Sequence, residues 1–184
     1  SNGKIEYSNY KVNIKNIEKN VGYKVSKNQK ILEISKTGIK FLKEISKLIN
    51  KNNGGLLIID YGYLEEKMKN TLRGMRNHKI VNILSNYKTC DITYSLSFNF
   101  LSMIAKQLNL NVSGITTQGN FLKSLGILKR AEIISKNLSF SKKADIYFRL
   151  EKLIDKKFMG DIFKVMLLTN SKINFKIGFP TDKI

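Results

Sequence analysis

The sequence predicts an α/β domain, on three observations. Gly54-Gly55-Leu56-Leu57-Ile58-Ile59-Asp60-Tyr61-Gly62-Tyr63 is an apolar run bounded by glycine, the pattern of a short strand covered on both faces of a sheet. Residues 35–50 precede it with apolar positions every three or four residues, so a helix leads straight into that strand. A second apolar run, Ile162-Phe163-Lys164-Val165-Met166-Leu167-Leu168, lies near the carboxyl end. At 184 residues the chain fits one domain with a sizeable core.

Taken in order, residues 4–34 are expected to form a small antiparallel β-meander. Lys11-Val12-Asn13-Ile14, Val21-Gly22-Tyr23-Lys24-Val25 and Ile31-Leu32-Glu33-Ile34 alternate polar and apolar residues between polar breaks. The helix over 35–50 takes Ser35 or Thr37 as its cap and turns Ile39, Leu42, Ile45, Leu48 and Ile49 inward. The strand over 56–60 ends at Asp60, Tyr61 and Gly62. Ligands of open α/β sheets gather beyond the carboxyl ends of strands, although a core strand ending in a tight turn reads the same way. Residues 64–89 lose the hydrophobic pattern and are expected to be a long irregular loop. Ser97 is a plausible cap for a helix with Leu101, Ile104, Ala105 and Leu108 inward, and residues 110–115 read as a strand. A short helix closed by Gly126 and two amphipathic helices, 127–136 and 142–155, follow. The apolar run at 162–168 reads as a buried strand, and Ile173-Asn174-Phe175-Lys176-Ile177 alternates as though it pairs beside it. The expected division is 4–34 meander, 35–116 helix/strand core, 117–158 helical insertion and 159–179 terminal strands, all within one domain spanning 1–184.

Composition excludes several classes of function. No apolar run reaches the roughly 18–20 residues of a membrane span. One cysteine, Cys90, and one histidine, His78, leave no ordinary zinc site and no internal disulfide, so no metal is expected and a reducing, cytoplasmic compartment fits best. The net charge is +19, yet 29 of the 33 basic residues are lysine and only 4 are arginine, spread along the chain. Asparagine (20) and isoleucine (24) are enriched with lysine, which looks like the drift of an A+T-rich bacterial genome. Base and phosphate recognition favours clustered arginine, so salt-dependent adhesion to polyanions is expected and specific nucleic-acid binding is not.

Several short segments, each weak alone, occur in a shared order. They are Glu33-Ile34-Ser35, Gly54-Gly55 through Tyr63, Thr71-Leu72-Arg73, Arg76, His78-Lys79 and Asp91-Ile92-Thr93. Thr117-Gln118-Gly119 with Phe121-Leu122, Leu125-Gly126-Ile127, Arg130-Ala131 and Met159-Gly160 with Phe163-Lys164-Val165 complete the series. Together they resemble the carboxyl-terminal half of the MidA-like family of S-adenosylmethionine-dependent methyltransferases, whose mitochondrial members methylate an arginine of a complex I subunit during assembly. The resemblance implies the carboxyl-terminal part of a seven-stranded, Rossmann-like sheet, with 56–60 as its fifth strand and an antiparallel final strand after a helical insertion. It places the family's glycine-rich loop, its ribose-binding acid and its Asn-Glu-Phe-Phe-Asp-like segment ahead of this chain. S-adenosylmethionine is thus the cofactor of the full-length family, and neither cofactor-binding residues nor activity are expected for this chain alone. Leu96-Ser97-Phe98 stands where the family usually has Val-Asp-Phe.

By the same resemblance, Asp60 and Tyr61 are candidate catalytic residues at the site's rim. Arg73 and His78 are catalytic candidates on a loop, residues 71–78, that closes over substrate and orients acidic or carbonyl groups. Gln118 and Phe121 are candidates for binding substrate at the mouth of the insertion. The implied partner is a protein substrate, such as a respiratory-complex subunit. The alternative is a non-catalytic interaction module derived from the same fold. A half-sheet leaves one edge of its central strand unpaired, so the meander is expected to cover that edge, unless a missing amino-terminal half or a homodimer does.

Overall fold

The computed structural model describes residues 5–22, 24, 29–173 and 175–179. Its first element is not a strand. Helix α1 (Ile14–Val21) begins at Asn13, whose side chain accepts the Asn16 N–H at 3.0 Å, and ends at Gly22 in the left-handed region. Ile14, Ile17 and Val21 fall on one side of it, and Val21 is buried in the core. The alternation at 11–14 was the approach to a helix cap, where an asparagine before an apolar residue satisfies a free N–H. Residues 29–35 are irregular, and Tyr23 and Val25 of the second expected strand lie outside the described residues. The β-meander is therefore corrected to a helix and coil among the residues described.

Helix α2 (Lys36–Asn52) confirms the second element. Ser35 caps it by accepting the Gly38 N–H at 2.9 Å, Asn53 ends it in the left-handed region, and Leu42, Ser46 and Ile49 are buried. Strand β1 (Gly55–Tyr63) follows. Leu56 and Ile58 pack on the core, but Leu57, Ile59 and Tyr61 are 46%, 47% and 42% exposed. The expectation of a strand covered on both faces thus fails for β1.

Residues 64–89 are better ordered than their composition suggested. Strands β2 (Arg73–Arg76) and β3 (Lys79–Val81) form a hairpin whose two turn residues, Asn77 and His78, both have positive φ. That is the geometry two-residue hairpins favour. After a short helix α3 (Ile83–Asn86), strand β4 (Asp91–Thr93) pairs with the other edge of β2, completing a three-stranded antiparallel sheet. The irregular loop expected here is corrected to that sheet. Glu33 secures its entry: the carboxylate accepts the Thr71 N–H at 2.7 Å, the Leu72 N–H at 2.9 Å and the Thr71 hydroxyl at 2.5 Å.

Strand β5 (Leu96–Ser97) then runs parallel to the end of β1, through Gly62 and Tyr63. A side chain on Gly62 would stand 2.5 Å from the Leu96 carbonyl and from the Phe98 ring, so only glycine allows this approach. Ser97 caps helix α4 (Phe98–Gln107), which leads to strand β6 (Leu110–Thr117). The insertion comprises α5 (Gln118–Ser124), α6 (Ile127–Ser135) and α7 (Phe140–Ile154). A single turn, α8 (Met159–Ile162), precedes the last strand, β7 (Phe163–Asn170).

The main sheet has the order β5-β1-β7-β6, with β7 antiparallel to both neighbours. β7 is the strand covered on both faces. Met166 and Leu168 enter a core shared with α1, α2 and α4, while Val165 and Leu167 join Phe121 and Phe179 on the other side. This is the period-two alternation of a strand between two layers. The expected antiparallel final strand is present, whereas the sheet among the described residues has four strands. Ile173, Phe175, Lys176 and Ile177 form no strand, and Asn174 lies outside the described residues. From Gly55 to Tyr61 the edge of β1 facing away from β7 has no strand partner among the described residues. A groove of about 410 Å³ runs there, bordered by Glu33, Ser35, Ile39 and Phe100, where the meander was expected as cover.

Candidate functional site

The register Tyr61↔Phe163 sets the site at the carboxyl end of β1. It brings α8 and the start of β7 against the segment that leaves β1 and the first residue of β2. The open cavity there, about 440 Å³, is lined by Tyr61, Glu65, Lys69, Arg73, Asp161 and Lys164, with glycine and serine between them. The Tyr61 ring lies 4.1 Å from that of Phe163 at a 40° tilt, which fixes one wall.

The charges in this cavity are mostly paired. Lys69 hydrogen-bonds to Glu65, and that bond is the first reason the Glu65 carboxyl is held below its ordinary value of 4.5. Lys69 also donates its backbone N–H to the Tyr63 hydroxyl at 3.1 Å, and its ammonium sits 5.2 Å from the Tyr63 ring centre. Lys164, only 8% exposed, reaches the Asp161 carboxylate at 3.2 Å and the Asp161 carbonyl. A buried ammonium needs such partners. Arg73 is the exception. Its Nε is buried without a hydrogen-bond partner, and no ion pair compensates its charge among the described residues. The Glu33–Thr71 contacts two residues upstream hold its backbone in place.

Of the residues the sequence singled out, Tyr61 and Arg73 meet in this cavity. Asp60 borders the groove along the free edge of β1, where its carboxylate accepts the Tyr61 N–H at 2.7 Å. Strand alternation sends these neighbours to opposite faces. His78 is exposed at the tip of the β2–β3 hairpin and lines neither cavity. Gln118 is buried and donates its amide to the Leu153 carbonyl at 2.9 Å. Phe121 is 8% exposed and packs on Phe179 with ring centres 5.2 Å apart. These two tie the insertion to itself and to the sheet, away from the cavity.

Glu65, Lys69 and Asp161 are not among the site candidates the sequence offers, and Lys164 enters there only within Phe163-Lys164-Val165. Spacings of four and three mark the two pairs as helix-like neighbours, but only the β1–β7 register places them together. Glu33 belongs to one of the motifs in series, and the structure gives it the task of anchoring the strand that carries Arg73. Among the described residues, no helix is long and apolar enough to cross a membrane, and no cluster of three His, Cys, Asp or Glu could hold a metal. A larger apolar cavity, about 640 Å³, lies between α1 and α2 with a lysine rim and no acid in its lining.

Comparison with known proteins places these features in a family. Residues 3–116 match the family model described as "Putative S-adenosyl-L-methionine-dependent methyltransferase". The protein arginine methyltransferase NDUFAF7, mitochondrial, of Xenopus tropicalis is 34% identical over 103 residues, which is 56% of this chain and 24% of that protein. Its Danio rerio counterpart is 28% identical over 130 residues, 71% of this chain and 30% of that protein. The chain thus spans under a third of the length of these curated relatives. A solved COG1565 superfamily protein from Burkholderia thailandensis shares the fold at TM-score 0.70 with 19% identity, covering 80% of this chain and 41% of that one. Another, bound to S-adenosyl-homocysteine, gives TM-score 0.60 with 20% identity, covering 72% and 35%.

Gly62, Gly119 and Gly160 offer no open backbone cradle for such a nucleoside group. A backbone cradle for it needs a glycine turn open to a cavity. At Gly62, Gly119 and Gly160 an added Cβ would instead meet the protein's own atoms at 2.3–2.5 Å. In the groove beside β1, Ser35 and Ser97 are occupied as helix caps and Glu33 by Thr71 and Leu72. With its family model matched over most of the first two-thirds of its length, and relatives and fold in agreement, this chain belongs to the MidA-like family of S-adenosylmethionine-dependent methyltransferases.

Proposed function

We propose that this chain forms the acceptor side of an S-adenosylmethionine-dependent protein arginine methyltransferase, with the methyl donor held by polypeptide beyond the described residues. The observation that carries the reading is the family match over residues 3–116, supported by relatives named protein arginine methyltransferases. The geometry supports it by placing a walled, charged cavity at the carboxyl end of β1, where ligands of α/β sheets collect.

In this reading the chain's residues position the acceptor. Asp60 has no ion-pair partner among the described residues and offers its carboxylate to the cationic guanidinium of the target arginine. Tyr61, held against Phe163 on the opposite face, walls the cavity that receives the acceptor segment beside the target arginine. Arg73 orients the acceptor backbone or its neighbours, and His78 meets substrate from the hairpin tip. Gln118 and Phe121 act on substrate through the insertion they hold together. The substrate is a protein, with a respiratory-complex subunit as the candidate the resemblance suggests. The half-buried Cys90 fits a reducing, cytoplasmic compartment, while the relatives carry mitochondrial names.

The test is transfer of a labelled methyl group to arginine of a protein acceptor by the complete protein that contains this chain. D60N should lower kcat about 10–100-fold without lowering donor affinity, the scale of losing an electrostatic positioning contact. The isolated chain should show no micromolar affinity for S-adenosylmethionine by calorimetry. A complete protein that binds the donor but methylates no arginine refutes the reading.

A further inference from the structure

Arg73 is the one cation of the cavity that the cavity does not neutralise. Lys69 is matched by Glu65 and Lys164 by Asp161, whereas the Arg73 Nε is buried with no acceptor among the described residues. A buried N–H without a partner is unfavourable by about 1–3 kcal/mol, more when charged, unless a ligand supplies the acceptor. The guanidinium fork matches a carboxylate in plane and with two parallel bonds. On the other face of the end of β1, Asp60 has the opposite character, an exposed carboxylate whose partner among the described residues is a backbone N–H. Among the described residues, the cavity at the end of β1 therefore holds an unpaired cation supplied by β2, and the opposite face of β1 an unpaired carboxylate.

From this we infer that Arg73 is a specificity-determining residue that selects acceptor segments bearing an aspartate or glutamate carboxylate close to the target arginine. The inference rests on the methyltransferase reading above and narrows its substrate class. A lone arginine peptide satisfies Asp60 and leaves the Arg73 Nε unpaired; a segment with both charges satisfies both.

The test uses this chain and fluorescein-labelled peptides with one arginine and one glutamate, separated by one to four residues, against the same peptides with glutamine. At physiological salt, at least one glutamate peptide should bind about tenfold tighter than its glutamine partner, the scale of a charge-assisted bidentate contact. R73Q should abolish that preference, and R73K, which keeps the charge but not the fork, should retain part of it. R76Q removes the same charge three residues away, where Arg76 is exposed and bonded to Thr89, and should leave the preference intact. That control separates the site from the chain's overall positive field. Should R73Q fail to give a cooperative melt, R73K decides: an undiminished preference there overturns the inference. Equal binding of the two peptide sets, no binding of either, or equal loss in R73Q and R76Q also overturns it. Methyl transfer by the complete protein with no glutamate preference sinks this inference and leaves the methyltransferase reading standing. The converse result separates them the other way.

Discussion

Replacing Glu33 by alanine should loosen the small sheet from the main one and move Arg73. The Glu33 carboxylate accepts three hydrogen bonds, from the Thr71 N–H, the Leu72 N–H and the Thr71 hydroxyl. Thr71 in turn accepts the Ser95 N–H at 2.8 Å. One side chain thus joins the segment before α2, the entry to β2 and the residue before β5. Hydrogen bonds to a charged group are worth about 1.5–3 kcal/mol each, but Glu33 is half-buried and water recovers part of the loss. We expect about 2–3 kcal/mol for E33A rather than the sum. E33Q should cost about 1 kcal/mol, since a single oxygen keeps both backbone bonds and only the hydroxyl must turn. With a urea m-value of about 2 kcal/mol/M, E33A lowers the unfolding midpoint by about 1 M or more. Amide exchange at Thr71, Leu72 and Ser95 should accelerate more than exchange in β7. An E33A midpoint within about 0.2 M of the parent, with those amides still protected, would refute the reasoning.

Two further predictions follow from single residues. G62A should destabilise by about 1–3 kcal/mol through overpacking against the Leu96 carbonyl and the fully buried Phe98 ring, lowering Tm by several degrees; an unchanged melt would show that β5 gives way freely. K69M removes the hydrogen bond that holds the Glu65 carboxyl low. Because the folded value is depressed, the stabilisation exists above pH about 4.5 and fades as pH falls through the folded value. The parent and K69M should therefore differ slightly at neutral pH and converge in acid. The effect is small because both side chains are about half exposed. NMR titration of Glu65 should show its pKa rising in K69M, and an unmoved titration would reject the assignment.

How much was legible depended on whether the signal was local. Helix α2, its Ser35 cap, Ser97 as the cap of α4, and the two longer insertion helices follow from residue spacing and capping chemistry within one turn. The hairpin at Asn77-His78 also carried a local signal, asparagine where φ is positive, which the charged composition around it obscured. The N-terminal helix was misread because four residues of alternation cannot distinguish a strand from the approach to a cap.

By itself the sequence determined the order of the core helices and strands, the antiparallel last strand and the family, because these rest on contiguous patterns and on motifs in series. Tertiary structure alone decided that β1 is left open on one face, since the layer that covers the second face of β7 leaves Leu57, Ile59 and Tyr61 exposed. It also decided the site. Tyr61 meets Asp161 and Lys164 only through a register spanning about a hundred residues, and the Arg73 Nε is buried there without a hydrogen-bond partner among the described residues.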